Sequence, residues 1–180
     1  SHGSVIRIVI IDTTTLITGF TIQNGNALWS PPFYSGGGMH LWWSSPTLKD
    51  ITFSNNAGYQ GGGGICLYFS NPTLTGVTFS GNTVGAFFGG GGISLMSSSP
   101  TLTDVTFSGN TAGHGGGMLL YNSNNPPLPS NPTLTNSILW GNSPNEIYFS
   151  QATSIANSIT ITYSDIQGGE AGIATNDNGT

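Results

Sequence analysis

The sequence reads SNPTLTGVTFSGN from Ser70 to Asn82 and repeats this stretch closely as SSPTLTDVTFSGN from Ser98 to Asn110. One leucine of the stretch, or an isoleucine in looser copies, marks six positions along the chain: Ile17, Leu48, Leu74, Leu102, Leu134 and Ile161. These markers are separated by steps of 31, 26, 28, 32 and 27 residues. A recurring step of this size predicts a repeat architecture in which each copy is one structural unit.

Each copy contains two parts. The first holds the leucine, an alternating apolar pair and the motif F-x-x-N, and the second is a glycine run that opens into another alternating segment, such as GGGMHLWW at 36–43. Alternation with a period of two residues predicts short strands, and no window shows the period of a helix. Such strands pair with their counterparts in neighbouring coils about 4.8 Å away. We therefore predict an all-β fold, a single-stranded right-handed parallel β-helix of about six coils with three short strands per coil.

Equivalent side chains of stacked coils form columns along the axis of a solenoid. The inward columns are apolar and are predicted to form the core: Leu48, Leu74, Leu102 and Leu134; Ile51, Val77 and Val105; Phe53, Phe79, Phe107 and Leu139; and Met39, Ile65, Ile93 and Met118. A polar column follows the phenylalanine strand, where stacked amides satisfy backbone groups between coils. This predicted structural ladder comprises Asn56, Asn82, Asn110 and Asn142. The glycine runs are predicted to turn the chain at tight or left-handed corners.

Composition and charge narrow the classes of partner. Charged residues make up 5% of the chain, and two basic against seven acidic residues give a net charge of -5. Nucleic acids and anionic membrane surfaces require clustered lysine and arginine, so we expect neither as a partner. No apolar stretch is long enough to span a bilayer, so we expect no membrane insertion. Residues 1–4 read as a remnant of cloning, 5–169 as the β-helix, and 170–180 as a C-terminal tail or the start of a missing coil.

The repeated motifs resemble those of right-handed parallel β-helix repeat proteins of the pectate-lyase-like superfamily, close in style to polymorphic outer-membrane protein repeats. The residues that carry the resemblance are FSNN and FSGN, the GGGI and GGGM segments, and TLITGFTIQNGNA at 15–27. The resemblance implies a bacterial protein that is secreted or displayed on the cell surface, of which this chain looks like a segment. It also implies a wide range of roles, because such repeats host lyases, hydrolases, adhesins and spacers.

An enzyme of this superfamily, a polysaccharide lyase or glycoside hydrolase, is one alternative. Such enzymes need converging carboxylates, and Asp50 and Asp104 share a column about 9.6 Å apart, near the spacing of an inverting pair. The same column also holds Gly19, Gly76 and Asn136, residues that tolerate a left-handed corner. The structural interpretation is that aspartate turns the chain at this corner. We therefore assign no catalytic residue.

No cofactor or metal is assigned from the sequence. His40 and His114 occupy different repeat positions and are predicted to be surface or loop residues. Calcium near Asp165, Glu170 and Asp177 stays open as an alternative, without a recognisable calcium motif.

A binding surface has better support. If Met39 and Leu41 point inward, the alternate residues point outward. The outward row is then Trp42, Tyr68, Met96 and Tyr121. Flat rings at this spacing suit the sugar rings of an extended polysaccharide or cell-surface glycan. The predicted carbohydrate-binding residues are Trp42, Tyr68, Tyr121 and, beside the row, Trp43.

Three further features accompany this row. The loop at 26–35 adds Trp29, Phe33 and Tyr34 near one corner, and Cys66 is predicted to face outward as an exposed thiol. The alternative is that the rings cover one another as a lateral cluster.

Unpaired strand edges at the ends of the solenoid favour end-to-end or edge association.

Outward threonines suggest a minor alternative. The triplet TLT recurs at 73–75, 101–103 and 133–135, and such arrays resemble ice-binding surfaces, although Lys49 interrupts the array. The sequence as a whole favours a non-catalytic secreted or cell-surface module that binds polysaccharide or serves as an adhesin-like structural segment.

Overall fold

The computed structural model describes residues 6–8, 14–27, 36–85, 89–123, 126–150 and 155–175. Trp29, Phe33, Tyr34, Asp177 and residues 1–4 lie outside the described residues.

The described chain forms short strands joined by tight corners. In chain order these are β1 (Ile6–Ile8), β2 (Leu16–Thr18), β3 (Thr21–Gln23), β4 (Met39–Trp42), β5 (Thr47–Lys49), β6 (Thr52–Ser54), β7 (Ala57–Gly58), β8 (Ile65–Tyr68), β9 (Thr73–Thr75), β10 (Thr78–Ser80), β11 (Thr83–Val84), β12 (Ile93–Met96), β13 (Thr101–Thr103), β14 (Thr106–Ser108), β15 (Thr111–Tyr121), β16 (Thr133–Thr135), β17 (Ile138–Trp140), β18 (Ser143–Ser150), β19 (Thr160–Thr162), β20 (Asp165–Ile166) and β21 (Ile173–Thr175). One 3-10 helix, Gly169–Gly172, lies between β20 and β21. Among the described residues, the helix of four residues falls far below the length of a membrane-spanning helix.

The strands form three parallel sheets. The first sheet contains β1, β4, β8, β12, β15, β18 and β21, with the short strands β7 and β11 alongside. The second sheet runs β2-β5-β9-β13-β16-β19, and the third runs β3-β6-β10-β14-β17-β20. Six stacked strands in each of the last two sheets are joined by five full turns of chain, so the predicted parallel solenoid is confirmed. Pairing of β21 with β18 extends the stack past the predicted boundary at Gly169 to Thr175.

The predicted register of the repeats is confirmed. Leu74 pairs with Leu48 on one side and Leu102 on the other. Phe79 pairs in the same way with Phe53 and Phe107. Because equivalent residues pair, each sequence position becomes a column along the axis.

The inward columns form one continuous apolar core, as predicted. Its phenylalanines are fully buried and stacked, with ring centroids 5.1 Å apart for Phe53 and Phe79 and 4.7 Å apart for Phe79 and Phe107. Each aromatic contact of this kind adds about 0.5–1.5 kcal/mol beyond the burial of apolar area. A single coil has no such neighbour, so the stability of the solenoid comes from stacking.

The corner between the second and third sheets is left-handed in every described coil. Its residues have positive φ: Gly19, Asp50, Gly76, Asp104, Asn136 and Tyr163. Glycine, aspartate and asparagine adopt this conformation most readily among the residues present. The prediction that Asp50 and Asp104 turn the chain is confirmed.

The corners at the glycine runs are tight but not left-handed. None of the described glycines at 62–64, 90–92 or 115–117 has a positive φ, so of the two predicted alternatives the left-handed one is excluded, while the chain bends at 63–64 and 91–92. The glycines pack backbone against backbone: a Cβ at Gly91 would lie 2.4 Å from the carbonyl oxygen of Gly116 and 2.7 Å from the amide nitrogen of Thr111. The runs are glycine because the chain passes too close to its neighbours for any side chain.

Candidate functional site

The predicted aromatic row lies on the first sheet. Trp42 pairs with Tyr68, Tyr68 with Met96, and Met96 with Tyr121, which confirms the predicted alignment. Trp42, Tyr68 and Tyr121 are half-buried, whereas Met96 is buried. The row is therefore interrupted in the middle of the sheet.

The rings of the row do not present one flat surface. The centroids of Trp42 and Tyr68 are 5.3 Å apart and their planes are inclined by 60°, an edge-to-face contact. A sugar ring stacks on a flat aromatic face, and an edge-to-face pair offers such a face poorly. The predicted lateral cluster and the predicted row are thus both present in part.

Beside the row, Trp43 presents an exposed aromatic face at the corner that follows β4. Its ring stacks on Phe69 of the next coil, with centroids 4.4 Å apart and planes within 8° of parallel. Phe69 is buried, whereas 47% of Trp43 is exposed. We call this pair the Trp43 platform. Phe69 was not predicted as a site residue, although its position directly after Tyr68 matches that of Trp43 after Trp42.

Both residues of the Trp43 platform adopt a conformation that is unusual for bulky side chains. Trp43 has φ of 51° and Phe69 has φ of 47°, and Ser97 continues the column at 49°. A left-handed conformation costs about 1–2 kcal/mol for a residue with a side chain, and glycine would avoid most of this cost. Stacking offsets the cost only in part. Strained conformations that persist in a fold are a recognised sign of functional positions.

Neighbouring rings hold the platform in place. Phe69 meets Tyr68 edge to face at 4.7 Å and 82°, and Trp42 lies 6.0 Å from the imidazole of His40. His40 is buried, so its prediction as a surface or loop residue was wrong. His114 is half-buried within β15, with its ring 4.8 Å from that of Tyr148.

The prediction of an exposed thiol at Cys66 was also wrong. Cys66 points away from the core but is fully buried, because the glycine run folds back over it and brings Gly62 against the strand. Burial raises the pKa of the Cys66 thiol from 9.0 to about 12, and a hydrogen bond from the Gly62 backbone opposes this rise. The thiol is therefore protonated and inert at neutral pH.

The two candidate carboxylates lie at exposed corners. Asp50 is 4.0 Å from the ammonium group of Lys49, and both side chains are more than half exposed. Asp104 is exposed two coils away, with Gly76 occupying the same column between them. In the part of the chain that the structure describes, no three histidine, cysteine, aspartate or glutamate side chains gather as metal ligands.

The asparagine column forms a buried ladder of hydrogen bonds. In Asn82, Asn110 and Asn142, Oδ1 accepts from the backbone and side-chain amides of the asparagine one coil earlier, as Asn110 does from Asn82 at 2.9 Å for both bonds. Asn56 Oδ1 accepts from the Gly25 backbone amide instead. Each side-chain amide also donates to a backbone carbonyl of the preceding coil, such as Asn110 to Phe79 at 3.0 Å. These hydrogen bonds satisfy the buried amide groups of the asparagines and link each coil to the next, as the predicted ladder requires.

A second ladder was missed by sequence analysis. Buried serines donate and accept between coils: the backbone amide of Ser70 donates to Ser98 Oγ at 3.0 Å, and that of Ser98 donates to Ser130 Oγ at 3.1 Å. The signal was present in the sequence, because each of these serines precedes the PTL motif by two residues.

Comparison with known proteins identifies the architecture of the chain but no specific relative. A family model described as the right-handed beta helix region matches residues 6–180. No curated protein and no solved structure shows a significant match.

Proposed function

Because the chain belongs to the right-handed β-helix family, we propose that it is a non-catalytic, secreted or cell-surface module that binds polysaccharide. The binding site is the Trp43 platform, flanked by Trp42 and Tyr68. The observation that carries the proposal is an exposed indole face held by a buried stacking partner, with both residues in a strained conformation.

The chemistry around the platform suits a neutral sugar. Indole faces stack on the C–H surface of sugar rings, and polar groups beside the ring accept or donate to sugar hydroxyls. Ser45 and Asn71 lie two residues beyond the two platform residues, near the solvent, and Ser45 Oγ accepts from the Asn71 backbone at 2.8 Å. The segments 39–48 and 65–75 carry no aspartate, glutamate, lysine or arginine. A neutral polysaccharide therefore fits better than a charged one.

The positions of the aspartates favour binding over catalysis. An inverting hydrolase needs two carboxylates facing one bond, with one kept protonated by its surroundings. Asp50 and Asp104 are exposed to solvent at corners whose geometry explains them without a reaction.

The chain itself supplies the variants that test the site. Ser97 occupies the platform column one coil later with the same backbone conformation, so Trp43→Ser and Phe69→Ser introduce a residue that the corner already accepts. Retention on insoluble cellulose, chitin, xylan and mannan measures binding. We expect at least one polymer to retain the wild type, and both variants to weaken that retention about tenfold, the loss of about 1.4 kcal/mol.

A matched control is Tyr59→Ser, since Tyr59 is an exposed aromatic residue away from the platform. It should leave retention unchanged. Equal retention of the wild type and both platform variants, or no retention on any polymer, would contradict the proposal.

Ice binding is a second candidate, and one observation favours it. Eight threonines on the outer face of the second sheet form two unbroken columns in register: Thr73, Thr101, Thr133 and Thr160, and Thr75, Thr103, Thr135 and Thr162. The hydroxyls of Thr135 and Thr162 are 3.0 Å apart. Regular hydroxyls and methyls on a flat sheet can order water. Thermal hysteresis that disappears in Thr103→Lys but persists in Thr78→Lys, on the third sheet, would support this function.

A further inference from the structure

The outer face of the third sheet changes character in one coil. Strands β6, β10 and β14 all read TFS, with threonine and serine outward on either side of a buried phenylalanine. Strand β17 reads ILW instead, and its central Leu139 is buried while Ile138 is 47% and Trp140 52% exposed. The core does not require these two side chains to be apolar, because they point away from it.

The exposed pair continues two columns of hydroxyl groups. Ile138 pairs with Thr106 and Trp140 with Ser108, and the same columns extend through Thr78 and Ser80. Adjacent residues in a column are about 4.8 Å apart. The indole ring therefore stands at the end of a regular, uncharged strip of hydroxyls.

A third departure from the repeat lies beside this pair. Tyr163 has φ of 51° at the left-handed corner where the other coils carry glycine, aspartate or asparagine. It is 88% exposed. The corner adjoins the coil of Ile138, since Thr162 accepts a hydrogen bond from the Asn136 backbone at 3.2 Å and Ile138 pairs with Asp165. Asparagine at this position would turn the chain with less strain.

We propose that Ile138, Trp140 and Tyr163 form a second carbohydrate site, at which a neutral polysaccharide chain lies along the hydroxyl columns of the third sheet. Trp140 stacks on one sugar ring, and the serine and threonine hydroxyls of the preceding coils bond to the hydroxyls of the following rings. The proposal shares the ligand class of the proposed function but none of its residues.

The surroundings of the three residues favour a polysaccharide over other occupants. An anionic membrane needs clustered basic residues, and the whole chain has two. A stable interface with a second copy buries about 800 Å² on each partner, with an apolar centre larger than three side chains. Apolar rings next to regular hydroxyls match the two kinds of surface that a sugar chain presents.

The two sites lie on different sides of the solenoid. The Trp43 platform is at the corner that leaves the first sheet, whereas Trp140 is on the third sheet. Neither can reach the sugar that occupies the other, so one molecule holds two chains, or two stretches of one chain, and gains avidity.

The test uses residues borrowed from the neighbouring coils. Ile138→Thr, Trp140→Ser and Tyr163→Asn, combined in one variant, restore the repeat pattern of Thr106, Ser108 and Asn136. Affinity electrophoresis in gels that contain hydroxyethyl cellulose, arabinoxylan or galactomannan measures binding by the wild type, the triple variant, Trp43→Ser and all four substitutions together. Thermal melts show that each variant is folded.

In the gel that retards the wild type, we expect the triple variant to bind about tenfold more weakly than the wild type. We also expect the protein with all four substitutions to bind more weakly than Trp43→Ser. This second comparison separates the two sites: a loss confined to Trp43→Ser supports only the platform, and a loss confined to the triple variant supports only the second site. Unchanged binding in the triple variant overturns this inference. A dimer in sedimentation velocity that the triple variant dissolves would overturn it as well, since the patch would then be a self-association surface.

Discussion

The carboxylate of Glu146 accepts two hydrogen bonds from Asn142, one from its backbone amide at 3.1 Å and one from its side-chain amide. Glu146 is buried and occupies the place that the next asparagine of the ladder would take. The described ladder therefore ends on an acceptor with two oxygens, matched to the two donors that every asparagine presents to the following coil.

We predict that Glu146→Gln destabilises the fold by about 1–3 kcal/mol. In the present side-chain position the glutamine NH2 group would replace one of the two oxygens that Asn142 uses, and the remaining oxygen could accept both donors only by moving to the position that Oδ1 takes in the other rungs. The midpoint of urea unfolding measures the effect. Glu170→Gln, an exposed position, is the control and should stay within about 0.5 kcal/mol of the wild type. A Glu146→Gln midpoint equal to that of the control would refute this reading of Glu146.

Removing an internal member of the ladder should cost more. Asn110→Ala leaves two donors of Asn82 and the carbonyl oxygen of Phe79 without the partner that Asn110 supplies. Each buried polar group left unsatisfied costs about 1–3 kcal/mol, so we expect a loss of at least 3 kcal/mol. Asn131→Ala is the matched control, because Asn131 also accepts between coils but is exposed to water. Comparable losses in the two variants would show that the ladder gains nothing from burial.

The fold was predictable because each coil repeats the same pattern of residue types at the same spacing. The pairing of Leu74 with Leu48 and Leu102 followed from spacing alone, and the left-handed corner followed from the residue types at Asp50 and Gly76. Both features depend on local sequence and on stacking of like on like. A period in the sequence reveals such features directly.

The site was predicted less well because exposure depends on how loops pass over the sheet. The alternation of β8 correctly pointed Cys66 away from the core, yet the glycine run covers it. The same alternation placed Trp42 and Tyr68 outward but did not give the angle between their rings. The alternation of the first-sheet strands predicts neither Phe69, which lies in the corner column, nor Trp140, which lies on the third sheet.

The glycine runs should tolerate no side chain where backbones touch. In Gly91→Ala the new methyl group would lie 2.4 Å from one carbonyl oxygen, whereas at Gly85 nothing lies within 4 Å of the corresponding position. We expect Gly91→Ala to lose about 1–3 kcal/mol or more through overpacking, and Gly85→Ala to be neutral within about 0.5 kcal/mol. Thermal melts compare the two. Equal stability would mean that the backbone has room to move apart.

The aspartates should behave as corner residues. Asp104→Asn and Asp104→Gly keep the left-handed conformation accessible and should change the free energy of unfolding by less than about 0.5 kcal/mol. Asp104→Val should cost about 1–2 kcal/mol, because a β-branched residue is strained at φ of 56°. An assay for reducing or unsaturated sugars on pectin and xylan should show no release by the wild type. Release that Asp104→Asn abolishes would instead make this carboxylate catalytic.

Cys66 should make the protein sensitive to alkali. Its pKa is about 12 in the fold against 9.0 ordinarily, so between these values the unfolded chain has lost the thiol proton while the folded chain keeps it. The contribution of the Cys66 thiol to the free energy of unfolding is complete below pH 9. It falls by about 1.4 kcal/mol for each pH unit between 9 and 12. Cys66→Ser removes the titration and copies Ser94, whose Oγ accepts from the Gly90 backbone at 2.7 Å in the next coil. Urea unfolding at pH 8, 9, 10 and 11 should therefore give a steeper decline for the wild type than for Cys66→Ser, with tyrosine ionisation common to both. At pH 8 a thiol reagent should label Cys66 of the wild type only after denaturant is added. If the stabilities of the wild type and Cys66→Ser declined in parallel with pH and the native protein were labelled rapidly, the thiol would be open to water.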